Sequence, residues 1–510
     1  MHLYTIGHSI AMFAAAPLSA AVLLGCTAPP AEIDGQKPVQ PAAITSPEGV
    51  PRPPFTFSRE DEALLDEVQR GAFNFLWSAA DKNTGLAPDR ASKPDLCSIA
   101  GVGFQLSALP VGVERGWITR EQGADRAILI LRSLDKHPEI RRAGFYQHFL
   151  HSPSATVHPE GPEHVVSTID SALFFCGVLT AGVYFGGEVR ERGDAIFARA
   201  DFRYFLGENE KEEWKRGFIS LGWKPDNPRD PAGPGKLLPY YWIDTGCEHR
   251  LVTFLGVCAP DKAHGVDPVL YYRLRRTLGT HPASGPVVWF PYSGALFVNQ
   301  FSHCWINYAA MGPDDPASHG FPPERRIPTD WWENSRRTVA IHRAKSIENP
   351  KRLPTFGENA WGLSASDCAA GYCVPGIFPV RMPMPGATPK IDFATESPAD
   401  NFGDGTIAPY AAGTSIMFDP TSSMSALRYY RSLTQSDGSP LLWTDPTTGG
   451  YGFADAFNLG TGWVAADYVA IDQGPLLLAI ENARTGLIWN IFHAHPWVHE
   501  GMARLRLSKP

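Results

Sequence analysis

Four short stretches in the last third of the chain set carboxylates or amides beside aromatic rings, glycines and prolines. They are residues 356–363, 404–409, 451–458 and 471–475. This mixture suits a sugar ring, because aromatic faces pack on its apolar C–H faces while carboxylates and amides bind its hydroxyl edges. Two well-placed carboxylates in such a groove are also the minimum equipment for breaking a glycosidic bond. The pattern therefore predicts an exported carbohydrate-active enzyme.

The overall composition is that of a globular protein. Of the 510 residues, 44% are hydrophobic and 19% charged, and aromatic residues make up 11%. The net charge of −8 and the lack of any Lys/Arg run argue against a nucleic-acid partner. A neutral polymer fits this charge better than a polyanion does, so we expect an oligo- or polysaccharide as the partner.

The N-terminus has the features of an export signal. Residues 10–24 are almost wholly apolar, which is too short a run to span a membrane. The sequence Leu23-Leu24-Gly25-Cys26 resembles a bacterial lipobox, although no Lys or Arg precedes Lys37. We expect a lipoprotein signal over 1–26 with lipidation at Cys26, and a periplasmic or outer-membrane location. An ordinary cleaved signal peptide, or a start at Met12, would be the alternatives.

A Pro- and Ala-rich segment with almost no aromatics follows the signal. It predicts a disordered tether over 27–54 and a catalytic domain over 55–510, with no membrane contact beyond the anchor. Seven cysteines remain after Cys26, so they cannot all pair. Cys368 and Cys373 could form a local disulfide, and Cys176 reads as a buried thiol. No Cys/His spacing matches a zinc site, and we predict no metal and no cofactor.

Helical periodicity dominates the body of the chain, and strand-like alternation is rare. Ser58 and Thr119 are predicted helix caps. Helices are predicted from residue 58, and over 98–113, 124–134, 167–185, 194–205, 248–255, 331–347, 422–432 and 473–484. Helical hairpins of this length predict an all-α fold, an α/α toroid whose loops converge at one end. An irregular α-bundle is the alternative.

Nine motifs in order carry a family resemblance. They are Arg90…Ser98-Ile99-Ala100-Gly101-Val102-Gly103-Phe104, Glu114-Arg115-Gly116-Trp117-Ile118, Ser167-Thr168-Ile169-Asp170, Ser302-His303-Cys304-Trp305-Ile306, Trp332-Glu333-Asn334-Ser335, Gly357-Glu358-Asn359-Ala360-Trp361-Gly362, Asp404-Gly405-Thr406, Asp455-Ala456-Phe457-Asn458 and Ile471-Asp472-Gln473-Gly474-Pro475. Together they resemble the glycoamylase-like bacterial glycoside hydrolases, including the β-1,2-glucanases of glycoside hydrolase family 144 and its clan relatives. The resemblance implies one (α/α)6 barrel with long aromatic loops, inverting hydrolysis of β-1,2-glucan, and no metal. The family's Tyr-Asn-Glu motif is replaced here by a stretch around Trp242 that keeps only Glu248.

Inverting hydrolysis needs a protonated acid at the leaving oxygen and an ionised carboxylate that activates water. Glu248 lies between Trp242 and an apolar run, which would raise the pKa of its carboxyl. Asp455 lies in a Gly-flanked aromatic loop. By motif and order we assign Glu248 as the acid and Asp455 as the base. Glu248 could instead only stabilise its helix, and Asp455 could be an Asx-turn residue.

The remaining candidates would bind substrate. They are Arg90, Asp170, His303, Trp305, Glu358, Trp361, Asp404 and Asp472, with Trp117 as a further stacking candidate. Each has a structural alternative: the acids as caps or turn residues, Arg90 as an ion-pair partner, and His303 and the tryptophans as core residues.

Two other functions stay open at this point. A polysaccharide lyase or sugar epimerase could use the same toroid, although a lyase would want basic residues around an acidic sugar. A surface glycan-binding lipoprotein without catalysis would also suit the tether and the aromatic loops. We expect a monomer.

Overall fold

A computed structural model describes residues 43–213, 215–289, 294–323, 325–377, 390–392 and 403–507. Helices dominate these residues. Their bounds are α1 (Arg59–Ser78), α2 (Ile99–Glu114), α3 (Arg120–Asp135), α4 (Thr168–Phe185), α5 (Gly187–Ala198), α6 (Cys247–Cys258), α7 (Val269–Arg273), α8 (Trp331–Glu348), α9 (Pro409–Thr414), α10 (Pro420–Ser432), α11 (Ala470–Arg484), α12 (Leu487–His493) and α13 (Pro496–Arg504).

Short strands of two to five residues decorate the loops. They are β1 (Leu96–Ser98), β2 (Arg141–Arg142), β3 (Phe145–Tyr146), β4 (Phe149–His151), β5 (Thr156–Val157), β6 (Val166–Ser167), β7 (Gly222–Pro225), β8 (Gly235–Leu237), β9 (Thr277–His281), β10 (Gly285–Trp289), β11 (Ser366–Cys368), β12 (Gly371–Cys373), β13 (Lys390–Asp392), β14 (Trp443–Thr444), β15 (Gly452–Phe453), β16 (Phe457–Asn458) and β17 (Trp463–Val464). Most pair antiparallel in sheets of two or three strands; β13 pairs parallel with β9.

Four helices form an inner layer. α2, α4, α6 and α11 are buried on nearly every side, whereas α1, α3, α5 and α10 bury a single face. α2 packs on α4, α4 on α6, α6 on the 3₁₀ turn Phe301–Cys304, that turn on α11, and α11 on both α9 and α2. Gln300, just before the turn, donates from its amide to the carbonyl of Ala411 in α9, at 2.8 Å. The inner elements thus contact one another in a closed sequence.

The contact between α2 and α4 depends on glycine. A Cβ added at Gly177 would lie 2.1 Å from the carbonyl oxygen of Gly103, and one added at Gly103 would meet the carbonyl of Leu173 at 2.3 Å. The two backbones therefore approach each other too closely for any side chain. α4 is also apolar and long enough to cross a membrane by composition, but most of it is buried inside the fold.

The predicted predominance of helices is confirmed, and most predicted helices are found within a few residues of their expected bounds. Ser58 and Thr119 cap α1 and α3 through their hydroxyls, as predicted. The helix expected over 194–205 is wrong: α5 spans Gly187–Ala198, and a 3₁₀ turn covers Arg203–Phe205. Cys368 and Cys373 form a disulfide, and Cys176 is a buried free thiol. The predicted signal, Cys26 and most of the tether lie outside the described residues.

Candidate active site

Three of the four inner helices carry an acidic side chain in the first turn. Asp170 is the third residue of α4, Glu248 the second of α6 and Asp472 the third of α11. All three are buried, with Glu248 6% and Asp170 and Asp472 at most 1% exposed. A carboxylate in the first turn of a helix is favoured by the helix dipole. Here burial opposes that effect.

Glu248 lies in a dry setting. Its pKa is raised to about 8, first by burial and then by the negative charge of Asp170. Its Oε1 makes no hydrogen bond to any group among the described residues. A carboxyl of this kind is protonated at neutral pH and has an oxygen available for another partner. The environment that the sequence suggested for Glu248 is therefore present.

Asp170 belongs to a line of ionisable groups behind Glu248. Ser167 donates its hydroxyl to the Asp170 carboxylate and also caps α4. The Nε2 of His148 lies 3.3 Å from Asp170 Oδ1, and its Nδ1 contacts the carboxylate of Glu163. Burial raises the pKa of Asp170, while His148 and the Ser167 hydroxyl work against that rise.

Asp455 lies in the turn between β15 and β16. Its Oδ2 accepts the backbone N–H of Asp367 at 2.8 Å, and its own N–H donates to the carbonyl of Asp467. The pKa of Asp455 is raised to about 7, first by burial and then by the charge of Asp367. The carboxyl of Asp472 interacts with that of Asp455, and burial together with this neighbour raises the pKa of Asp472 well above its usual range. Because the two carboxyls interact, ionisation of one disfavours ionisation of the other.

Arg90 is a cation in the part of the site around Asp455. Its Nη1 donates to Asp367 Oδ1 at 2.8 Å, and its Nε lies 3.3 Å from Asp89. Asp467 lies 3.7 Å from the same guanidinium. Burial disfavours the charge on Arg90, but these three carboxylates outweigh it and raise the pKa. The charge of Asp89 also acts on His148 and Asp170. The groups around Asp455 and those around Glu248 therefore form one electrostatic cluster.

A cavity of about 320 Å³ opens beside Arg90 and Asp367. One wall is the β11–β12 hairpin, whose two strands the Cys368–Cys373 disulfide links. Tyr372 and Trp463 supply aromatic rings, and Ala465 and Ala466 complete the lining. This volume is in the range of ligand sites, and the mixture of one cation, one acid and two aromatic rings suits a polyhydroxylated ligand.

The structure brings together five of the predicted site residues. Arg90, Asp170, Glu248, Asp455 and Asp472 belong to this one cluster. Their roles toward a substrate stay predictions.

Three predicted sugar contacts lie in the core instead. Trp305 and Trp361 have no exposed surface: Trp305 stacks near Phe104 and donates to Ser107, and Trp361 exchanges backbone hydrogen bonds with the Tyr430 hydroxyl. His303 is 1% exposed, with Nε2 bonded to Ser335. The expectation that these side chains line a groove is wrong, because closure of the inner layer fills this space with large apolar groups.

Three other predicted residues lie apart from the cluster. The side chain of Glu358 is exposed and pairs with Arg343 at 2.7 Å. Asp404 is an exposed turn residue that accepts the N–H of Thr406. Trp117 follows the C-terminal end of α2, opposite to the end that holds the carboxylates, and packs on Phe73.

Sequence reasoning missed several members of the cluster. They are Asp89, His148, Glu163, Asp367, Tyr372, Trp463 and Asp467. The spacing of Cys368 and Cys373 allowed a local disulfide, and an acid next to such a cross-linked loop was the available signal for Asp367. Glu163 and His148 are separated by 15 residues in a loop region, and nothing in their pattern indicates a contact.

Comparison with known proteins gives matches along most of the chain. A family model described as "Putative glucoamylase" matches residues 240–496. An exo β-1,2-glucooligosaccharide sophorohydrolase (non-reducing end) from Parabacteroides distasonis is 29% identical over 485 residues. That match covers 89% of this chain but only 59% of the relative, so the chain spans less than two thirds of the relative's length.

Solved structures resemble the fold over nearly its whole length. A putative glucoamylase from Bacteroides uniformis is 28% identical, with a TM-score of 0.68, covering 88% of this chain and 98% of its own. An endo-β-1,2-glucanase from Chitinophaga pinensis, solved with sophorotriose and glucose, is 24% identical. Its TM-score is 0.70, with 88% of this chain and 98% of its own covered, which supports likeness of fold.

Proposed function

The chain belongs to the glycoamylase-like family, and on that premise we propose that it is a glycoside hydrolase that cleaves β-1,2-linked glucan with inversion. The observation that carries the proposal is a pair of buried carboxyls: Glu248 on α6, with a pKa near 8, and Asp455 between β15 and β16, with a pKa near 7. The names of the Parabacteroides and Chitinophaga relatives supply the linkage.

The two carboxyls would divide the work of an inverting hydrolysis. Glu248, protonated, donates its proton to the glycosidic oxygen as the bond to the anomeric carbon breaks. Asp455, ionised, accepts a proton from a water molecule whose oxygen attacks that carbon from the opposite face. The Asp367 N–H donates to one oxygen of Asp455 and holds it in place. The positive charge of Arg90 offsets the repulsion between Asp455 and the neighbouring carboxylates. The leaving sugar departs as an alcohol, and the new hemiacetal has the opposite anomeric configuration.

The architecture that would position these groups is a single (α/α)6 barrel. Support for it comes from the closed sequence of contacts through α2, α4, α6, the turn Phe301–Cys304, α9 and α11, with more exposed helices outside. Acidic first turns on three of these inner helices point to one end of the ring as the catalytic end.

Export is the remaining part of the proposal. We keep the lipobox at Cys26 as the anchor and place the enzyme in the periplasm or on the outer membrane. The Cys368–Cys373 disulfide favours an oxidising compartment. Labelling cells with a radioactive fatty acid would test the anchor: the wild type should take up label, and Cys26→Ser should not. Label-free wild-type protein would contradict the anchor.

The direct test of function is hydrolysis of linear β-1,2-glucan by the purified protein, followed by chromatography of the products. Glu248→Gln and Asp455→Asn should each lower kcat by about 10²–10⁴-fold with the fold intact. Asp437→Asn, an exposed turn aspartate, is the matched control and should retain full activity. Proton NMR of the first product would show the inverted anomer. Tight binding without any release of sugar would instead identify a glycan-binding protein.

The pH profile gives a second check on the same assignment. The base must be ionised, so kcat/KM should fall as the pH drops below about 7. The acid must be protonated, so kcat/KM should fall as the pH rises above about 8. We expect a narrow bell between these limits. A profile that stays flat across both would contradict the assignment of these two groups.

A further inference from the structure

A line of three ionisable side chains runs from near the surface to Glu248. Glu163 precedes β6, His148 precedes β4, and Asp170 is in the first turn of α4. The Glu163 side chain is 15% exposed, whereas those of His148 and Asp170 are 1% exposed. Both ring nitrogens of His148 therefore face carboxylates in a place that water hardly reaches.

Resting on the proposed hydrolase function, we propose that His148 is a positioning residue: clamped between Glu163 and Asp170, it keeps Asp170 ionised, and the charge of Asp170 keeps Glu248 protonated. His148 does not line the cavity beside Arg90 and Asp367. Its action passes through Asp170, which is on the helix that packs against α6.

The electrostatics of the line agree with this assignment. Burial lowers the pKa of His148, but Asp170 and Glu163 outweigh burial and raise it to about 9, so the ring is a cation at neutral pH. Burial raises the pKa of Asp170, and this cation and the Ser167 hydroxyl oppose that rise. The charge retained on Asp170 then adds to burial in raising the pKa of Glu248.

Other charged groups bear on the line without replacing it. Asp89 reaches both His148 and Asp170, and Arg90 lies against Asp89. Glu163 also acts on His164, which lies within reach of Lys224 and His158. Among the described residues, Asp170 is the charged group that acts on Glu248 itself. Removing the His148 cation should therefore lower the pKa of Glu248 through its effect on Asp170.

The test is a direct titration of Glu248 by carbon-13 NMR in protein labelled at the glutamate carboxyls. The signal that vanishes in Glu248→Gln identifies the residue. Its midpoint should lie near pH 8 in the wild type. Asp170→Asn removes the like charge, and His148→Gln lets Asp170 become neutral. Both should lower the midpoint by about one pH unit or more.

His137→Gln is the matched control. The Nδ1 of His137 contacts Glu139 at 2.9 Å, and the ring is partly exposed, with no ion pair to a second carboxylate among the described residues. This change should leave the Glu248 midpoint where it is. A midpoint that does not move in either Asp170→Asn or folded His148→Gln would overturn the proposal. Circular dichroism melting reports whether His148→Gln folds, and Asp170→Asn carries the test if it does not.

Activity provides a separate readout. In active enzyme, the high-pH limb of kcat/KM on β-1,2-glucan should move down with the NMR midpoint in both variants. If the wild type leaves β-1,2-glucan intact and the Glu248 midpoint still moves in the two variants, the proposed function is refuted while the role of His148 and Asp170 is retained. Active enzyme with an unmoved midpoint would do the reverse.

Discussion

The two halves of the site hold their carboxyls in different ways. On the acid side, Glu248 and Asp170 are in the first turns of adjacent inner helices, and their positions follow from helix packing. On the base side, Asp367 is on the β11–β12 hairpin and Asp455 in the connection between two other short hairpins; hydrogen bonds, the Arg90 ion pairs and a disulfide hold these segments in place.

This difference separates the causes of the two raised pKa values. Glu248 has burial and one like charge to keep its proton. Asp455 is even more deeply buried and has Asp367 and Asp472 beside it, yet hydrogen bonds and the Arg90 cation oppose the rise of its pKa. Burial at a helix end thus suits Glu248 to be the acid, while hydrogen bonds and a nearby cation suit Asp455 to be the base.

The largest expected effect is the loss of activity on removing either carboxyl, and substrates with different leaving groups distinguish the acid from the base. Glu248→Gln should lose about 10²–10⁴-fold in kcat on glucan but much less on an aryl glycoside, because a phenolate of low pKa departs without a proton. Asp455→Asn should lose the same large factor on both substrates, because water still needs its base. Steady-state rates on the two substrates check this. Equal losses for Glu248→Gln on both would remove it from the acid role.

Changing Arg90 should affect the base side alone. Arg90→Gln removes the cation that lowers the pKa of Asp455, so the low-pH limb of kcat/KM should move to higher pH. We expect about tenfold loss at pH 6 and a smaller loss at pH 7.5, corresponding to a shift of about one unit. The high-pH limb, set by Glu248, should stay in place. Movement of the high-pH limb by the same amount would show that the two halves are not separable.

The disulfide tests how much the hairpin contributes. The double variant Cys368→Ser/Cys373→Ser should loosen the segment that carries Asp367 and lower kcat several-fold, with a modest fall in melting temperature, since the closed loop is short. Dithiothreitol should reproduce the loss in the wild type and leave the double variant unchanged. Full activity after complete reduction, verified by thiol titration, would show that the hairpin keeps its position without the bond.

Trp463 should give the smallest effect. Its half-buried ring lines the cavity, so Trp463→Ala should raise KM about three- to tenfold with little change in kcat, as expected for the loss of one stacking contact. Trp463→Phe should recover most of the affinity. Trp497→Ala, on α13, serves as the control and should lower stability without changing KM. A fall in kcat for Trp463→Ala at constant KM would argue against stacking.

The contrast between the halves also explains what could be read from the sequence. α4, α6 and α11 follow from apolar periodicity, so the acids in their first turns could be found. Asp367 and Glu163 could not: Asp367 is on a three-residue strand, too short to leave an alternating pattern, and Glu163 is in an irregular loop before β6. Trp305 and Trp361 were misjudged for a related reason: composition gives the aromatic ring but not the side on which the ring lies.

The most direct test of the central claim is a crystal structure of the Glu248→Gln variant with a β-1,2-linked gluco-oligosaccharide. The account predicts that the side chain at position 248 contacts a glycosidic oxygen, and that Asp455 lies on the other face of the same sugar, roughly 6.5–9.5 Å away and with room for a water molecule between it and the anomeric carbon. A bound saccharide whose scissile bond lies away from either of these two side chains would contradict the account.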